Sequence, residues 1–164
     1  MQLISFPGRR RVQGYVLLEA LVAVVVASVG FIGAARMQTV GMKMNTSSAI
    51  RQKAVLLTYQ MTDRIRANRT GFGSGAYDNP AIGSSDCLNS GCSAAQLAVA
   101  DMTDWTADIE DQLPDGSGVV CIDSTPNDGT AGAPACDGIG NLLAVKVWWT
   151  DSMGITQFVT VVRP

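Results

Sequence analysis

The first apolar segment of the chain is a continuous run over residues 15–35, in which Glu19 is the single charged residue. A helix rises about 1.5 Å per residue, so this run is long enough to cross the roughly 30 Å hydrocarbon core of a bilayer. The pattern therefore predicts a transmembrane helix over residues 15–35.

Beyond this run, apolar positions recur at every third or fourth residue, which is the spacing of one face of a helix. They are Met37, Val40, Met44, Ile50, Ala54, Leu57, Met61 and Ile65. The glycine-rich segment 69–75 ends the pattern. One long helix is therefore predicted over residues 15–69, with its methionines in core packing and its second half lying on a sheet.

A second amphipathic helix is predicted where Ser93 and Gln96 form a capping box. Its apolar face contains Leu97, Ala98, Met102, Trp105, Ile109 and Leu113. The opposite face carries four acidic residues, Asp101, Asp104, Asp108 and Asp111. The main interpretation of these acids is a solvated face, and the alternative is an interface with a basic partner such as the stem of an adjacent subunit.

Three strands are predicted after this helix, over residues 118–122, 142–150 and 155–162, with a hairpin turn at 151–154. The Gly-, Pro-, Asn- and Asp-rich segment 123–141 is predicted to be an exposed loop. Adjacent residues of a strand face opposite sides, so one of Trp148 and Trp149 is expected in the core and the other is a candidate interface residue. The predicted fold class is α+β: a long N-terminal helix, with a protruding transmembrane half, packed on a small antiparallel sheet with a second short helix.

The composition excludes several kinds of catalytic and metal site. The chain contains no histidine, which removes histidine-dependent catalysis and histidine metal sites. The net charge of −2 argues against nucleic-acid binding. The only candidate calcium ligands, Asp123, Asn127 and Asp128, lack the spacing of an EF-hand. No enzymatic activity, metal or cofactor is predicted.

The charges are segregated along the chain. Residues 36–69 contain seven basic residues and one acidic residue, whereas residues 70–164 contain two basic and twelve acidic residues. The distribution indicates a basic stem that carries an acidic head.

All four cysteines lie in the acidic half, which is typical of a small head domain with two disulfides in an oxidising compartment. Pairing of Cys87 with Cys92 and of Cys121 with Cys136 is favoured, and the two crossed connectivities remain open. The basic residues Arg9–Arg11 precede the apolar run, so the positive-inside rule places the N-terminus in the cytoplasm and residues 36 onward outside.

Glu19 is unusual in this segment, because an ionised carboxylate in an apolar span costs about 2.5–3.5 kcal/mol unless it has a partner. Cleavage of the chain after Gly14 would create such a partner, the α-amino group of Tyr15. In a packed array, the amine of one subunit could then meet Glu19 of its neighbour.

These residues resemble the class III signal of the type IV pilin superfamily: the basic residues Arg9–Arg11, then Gly14, an aromatic residue and Glu19 at the fifth mature position. The resemblance implies a leader over residues 1–14 that prepilin peptidase removes, N-methylation of Tyr15, and Glu19 as the residue of subunit assembly. Tyr15 departs from the usual phenylalanine of the family but is also aromatic.

The acidic half, predicted as a head domain over residues 70–164, resembles PilV-type minor pilins. The similar segments are Asp104-Trp105, Leu113-Pro114-Asp115-Gly116 and the late strand 145–151. The resemblance implies a minor pilin that primes assembly of the type IV pilus and supports pilus-dependent motility and adhesion. Its expected partners are other minor pilins, the major pilin, prepilin peptidase and the inner-membrane assembly platform.

The implied location is the inner membrane, with one span and a periplasmic head, and then the pilus at the cell surface. Two alternatives remain open. One is a minor pseudopilin of type II secretion, which shares the N-terminal signal and helix. The other is a membrane-anchored periplasmic binding module that never polymerises.

Overall fold

The computed structural model describes residues 13–83 and 87–163. The predicted leader therefore lies outside the described residues except for its last two positions, and so do Arg9, Arg10 and Arg11. The chain divides into two compact units, Met1–Met44 and Asn45–Pro164.

The long helix α1 spans Gln13–Ala67 and is followed by the short helix α2, Arg69–Gly73. The predicted long helix over residues 15–69 is confirmed as one helix, which ends at Ala67. Asn68 separates the two helices because its side chain accepts a hydrogen bond from the backbone N–H of Gly71, at 3.0 Å, and so acts as the N-cap of α2.

Three further elements precede the hairpin: helix α3, Cys87–Ser90, helix α4, Ala94–Gln112, and strand β1, Ser117–Ile122. Helix α4 begins with the predicted capping box, in which Ser93 and Gln96 each satisfy a backbone N–H of the other. The last two strands are β2, Leu143–Asp151, and β3, Gly154–Val162, and they form the predicted hairpin.

The sheet is antiparallel with the order β1-β2-β3. Its register places Val120 opposite Val145, and Val147 opposite Phe158. These side chains and Trp149 point to the inner face of the sheet, where they join the core. The architecture is therefore α+β, with a long apolar helix, a three-stranded antiparallel sheet and short helices.

The core of the second unit forms where one side of α1 meets α4 and the inner face of the sheet. Helix α1 contributes Ala54, Leu57, Met61 and Ile65, and α4 contributes Ala98, Met102, Trp105 and Ile109. These are positions that the helical periodicity predicted as buried. Burying each large apolar side chain stabilises the fold by about 1.5–3 kcal/mol.

The first part of the predicted stripe behaves differently. Met37, Val40 and Met44 are all exposed, and Met37 exposes 79% of its surface. The interpretation of the methionines as core residues is therefore wrong for Met37 and Met44 and confirmed for Met61. The reason is that Met37 and Met44 belong to the first unit, in which every residue from 15 to 44 is exposed.

Gly118 generates a test of core packing. A Cβ atom at this position would lie 2.5 Å from Cδ1 of Ile109 and 2.7 Å from the ring of Trp105. We expect Gly118→Ala to lower the free energy of unfolding by about 1–3 kcal/mol, because the packed ring cannot move aside freely. Urea denaturation of the full chain in detergent micelles measures this change.

Gly132→Ala is the matched control, because a Cβ at Gly132 meets nothing within 4 Å and the backbone there does not adopt a positive φ. Equal unfolding free energies for the two variants would contradict the packing described for Gly118.

Candidate functional site

The first unit presents Tyr15 and Glu19 on one side of α1. The two residues are separated by one helical turn and line a shallow groove together with Leu18, Val22, Ala23 and Val26. Tyr15 and the aliphatic side chains around it are exposed. A helix with apolar residues exposed all round requires an apolar environment outside the chain, and α1 is accordingly a candidate membrane anchor.

Glu19 is a charged group of this segment that the helix itself does not supply with a hydrogen-bond or ion-pair partner. The hydroxyl of Ser28 donates to the carbonyl oxygens of Val24 and Val25, at 2.8 and 2.9 Å, and Thr39 donates to Ala35 at 3.0 Å. Such bonds satisfy small hydroxyls within the helix. Glu19, by contrast, forms no ion pair or hydrogen bond with any residue in the described part of the chain.

The acidic face of α4 divides into two parts. Asp101 is turned into the chain: its side chain is only 13% exposed and its carboxylate lies 3.7 Å from Nη1 of Arg64. Asp104 is 73% exposed and lies 3.8 Å from the same guanidinium. The basic group that pairs with Asp101 and Asp104 is therefore Arg64 of the same chain.

Asp108 and Asp111 form no ion pair within the described residues, and Asp111 is exposed. The prediction of a uniform solvated or interface face is thus corrected for Asp101. That residue is occupied by intramolecular contacts because α4 packs directly on the last turns of α1.

Asp101 also belongs to a buried hydrogen-bonded group that sequence analysis missed. The hydroxyl of Tyr77 donates to Oδ2 of Asp101 at 2.5 Å and accepts from Nδ2 of Asn68 at 3.2 Å. The same Nδ2 donates to the carbonyl oxygen of Ala94 at 2.8 Å. The group joins the α1–α2 junction to the start of α4. Burial, together with the bond to Asp101, raises the pKa of Tyr77 well above its usual range.

The outer face of the sheet holds a second buried polar group. Nζ of Lys146 contacts Oδ2 of Asp123, and both side chains are fully buried. Nζ also donates to the carbonyl oxygen of Pro134 at 2.8 Å and to Oδ1 of Asp128 at 3.2 Å. The segment 123–141 therefore lies over the outer face of the sheet and supplies the oxygens that Lys146 needs.

Several carboxylates near the sheet have lowered pKa values, among them those of Asp128 and Asp151. The hydroxyl of Thr125, and then the ammonium of Lys146, hold the pKa of Asp128 below its usual value. At the β2–β3 turn, the backbone N–H of Met153 and the hydroxyl of Ser47 lower the pKa of Asp151. Both carboxylates therefore stay ionised in mildly acidic solution.

Trp148 and Trp149 lie on opposite faces of β2, as the strand alternation predicted. Both are buried, with 2% and 1% of their surface exposed. The interpretation of one of them as an exposed interface residue is therefore wrong for the single chain. The physical reason is that both faces of β2 are covered, since every residue from Leu143 to Trp149 is buried.

The cysteines form the two favoured pairs, Cys87 with Cys92 and Cys121 with Cys136, with Cα–Cα distances of 4.9 and 6.0 Å. The second disulfide ties the segment 123–141 to β1 beside Lys146. No cluster of three or more potential metal-ligating residues occurs in residues 13–83 and 87–163. The Cys121–Cys136 disulfide and the Lys146–Asp123 ion pair together hold the segment 123–141 on the outer face of the sheet.

The pattern of the sequence did not predict the buried roles of Tyr77 and Lys146, for different reasons in the two cases. A lysine between two valines in a strand was a signal of a buried ion pair, because a buried lysine requires a carboxylate. Tyr77 lies in a loop with no periodic pattern, so its burial depends on contacts that are distant in sequence.

No family model, curated protein or solved structure matches the chain.

The Tyr77 group predicts a specific loss of stability in alkali. Below pH about 10, the ordinary pKa of tyrosine, the contribution of this phenol is fully present. Above that pH the unfolded chain loses the proton while the folded chain keeps it, so stability falls. We expect Tyr77→Phe to remove this part of the pH dependence and to cost about 1.5–3 kcal/mol at neutral pH.

Urea denaturation of both proteins between about pH 8 and pH 11 measures the difference. Tyr59→Phe is the control, because Tyr59 is half-exposed and has no hydrogen bond from its hydroxyl among the described residues. A constant difference between wild type and Tyr77→Phe across this range would contradict the assignment.

The buried ion pair predicts that substitutions of Lys146 and Asp123 have strongly non-additive effects on stability. We expect Lys146→Met to cost about 3–5 kcal/mol, because Asp123 is left as a buried charge without a cation. Adding Asp123→Ala should recover part of that loss. Urea denaturation followed by tryptophan fluorescence gives the double-mutant cycle. Lys53→Met, at an exposed position of α1, should change stability by less than about 0.5 kcal/mol. Additive effects of the two core substitutions would argue against the pair.

Proposed function

We propose that this chain is a minor pilin, a non-enzymatic subunit required to prime assembly of a type IV pilus. The observation that carries the proposal is the exposed apolar helix of the first unit, with Tyr15 and Glu19 one turn apart and Glu19 without a partner among the described residues. A carboxylate of this kind requires a cation from outside its own helix.

The proposed sequence of events begins in the inner membrane, with the N-terminus cytoplasmic and the second unit periplasmic. Prepilin peptidase cuts after Gly14, and the new amino group of Tyr15 is methylated. The amine of one subunit then pairs with Glu19 of its neighbour, and the apolar helices leave the bilayer for a bundle in the filament. This order explains why a charge is retained in an otherwise apolar span.

Two features of the second unit support the proposal. Its two disulfides are stable in an oxidising compartment such as the periplasm. Its described carboxylates on α4 include Asp108 and Asp111, which have no ion pair within the described residues and are available to basic groups on other subunits. The proposed partners are other minor pilins and the major pilin.

Glu19→Ala tests the assembly role. We expect insertion into the membrane and removal of residues 1–14 to persist, while the amount of protein in sheared surface pili falls by about tenfold or more. Immunoblots of membrane and pilus fractions, with the mass of the processed chain, measure each step. Glu110→Ala is the matched control, because it removes the other glutamate of the chain at an exposed position of α4.

Unchanged incorporation of Glu19→Ala into pili would reject the pairing. A gene deletion, complemented with the wild-type gene, separates the proposed class from its alternatives. Loss of pili with normal exoprotein secretion supports the minor pilin. Blocked secretion with normal pili would identify a pseudopilin, and retention of residues 1–14 in the mature chain would indicate a binding module that does not polymerise.

A further inference from the structure

Three arginines converge on one cavity of the second unit. Arg66 from the last turn of α1, Arg69 from α2 and Arg163 after β3 line a space of about 500 Å³ together with Phe72 and Gly73. Each of these three parts of the fold therefore contributes one arginine to the lining. Arg66 and Arg69 are close in the sequence, but the sequence alone could not show that Arg163 lies beside them.

The positive charge of this cavity is not balanced within the described residues. Arg66 pairs with Asp63, at 3.7 Å, but both side chains are largely exposed and such a pair contributes little. Arg69 and Arg163 form no ion pair with any described residue. The head around them is acidic overall, with twelve acidic residues and two basic ones over residues 70–164. The cavity is therefore a local site for an anion, and the planar guanidinium groups suit carboxylates.

An apolar cleft adjoins the arginines. Phe72 and Gly73 also line a second cavity of about 230 Å³, whose other walls include Tyr77, Ile122 and Leu143. A cavity of about 150 Å³ is sufficient to hold a benzene ring, so this cleft has room for one apolar side chain. The carboxylate of Asp78, which also borders the cleft, already accepts the backbone N–H of Ile122 at 2.8 Å. Charge and apolar surface are thus presented side by side.

We propose that the two adjoining cavities, here called the arginine cleft, bind a segment of another polypeptide in which a carboxylate side chain lies next to an apolar one. The three arginines hold the carboxylate, and the apolar neighbour enters the space between Phe72 and Leu143. A small inorganic anion would use only the first cavity and leave the second unfilled. The inference does not depend on whether the chain assembles into pili.

The acidic helix of a second copy does not have this chemistry. On α4 the large apolar side chain that remains partly exposed is Leu97, at 37%. The carboxylate one turn away from it is that of Asp101, which already pairs with Arg64 and accepts from the hydroxyl of Tyr77. The proposed occupant is an acidic and apolar segment of a different protein, and a segment of a second copy is an outcome of the test.

Fluorescence polarisation of the full chain in detergent micelles tests the proposal. The probe is the fluorescein-labelled peptide Gly-Glu-Leu-Glu-Gly, and two matched peptides replace either both glutamates by glutamine or the leucine by serine. We expect each replacement to weaken binding by about tenfold, the first because the charge is lost and the second because the apolar contact is lost. Raising NaCl from about 50 to 300 mM should weaken binding of the glutamate peptides only.

Variants of the chain locate the site. Arg69→Glu and Arg163→Glu should each weaken binding of the probe by about tenfold or more, while Lys53→Glu, the same charge change at an exposed position of α1, should not. Phe72→Ala should abolish the preference for leucine over serine and keep the preference for glutamate. Retained disulfides and an unchanged circular dichroism spectrum establish that the variants are folded.

Three results would overturn the proposal. These are no binding of the probe by the wild-type chain, equal binding of the glutamine peptide, or equal binding of the serine peptide with full displacement by millimolar inorganic phosphate. The last result would assign the arginines to small anions alone. Self-association of the chain that competes with the probe would instead identify a segment of a second copy as the occupant.

Discussion

The packing of the second unit depends on the burial of Trp105 between helix α1 and strand β1. Its indole N–H donates to the carbonyl oxygen of Leu57 at 2.8 Å, and its ring lies against Gly118, where no side chain intervenes. One residue of α4 thereby contacts both of the other layers. Because the ring is large and its polar atom is satisfied, it combines apolar burial with a fixed orientation. The position of α4 along the stem follows from this contact.

That position decides which charges remain available. Asp101 is brought to Arg64 and Tyr77 and is used inside the chain, whereas Asp108 and Asp111 keep carboxylates free of ion pairs among the described residues. On the covered side of the sheet, Lys146 and Asp123 neutralise each other out of contact with water. The charges that can act on partners are thus fewer than the composition indicates, and the arginines of the arginine cleft are among them.

The first unit differs physically from the second, because its apolar side chains between residues 15 and 44 are all exposed. It is a candidate membrane anchor, because a bilayer or other helices would cover its apolar side chains. Within such surroundings a single carboxylate is expensive without a partner. The proposed role in assembly uses that requirement directly, since the pairing of Glu19 with an external amine would decide which helices associate.

Local rules in the sequence determined the elements. The helical period placed Ala54, Leu57, Met61 and Ile65 in the core, the capping box fixed the start of α4, and the alternation of β2 separated Trp148 from Trp149. These rules act between residues close in the chain. Other features depended on the layers that cover each face. These are the exposure of Met37 and Trp148, the acid that pairs with Arg64, and the arginines that line one cavity. Only the tertiary structure decided them, because such contacts join residues far apart in sequence.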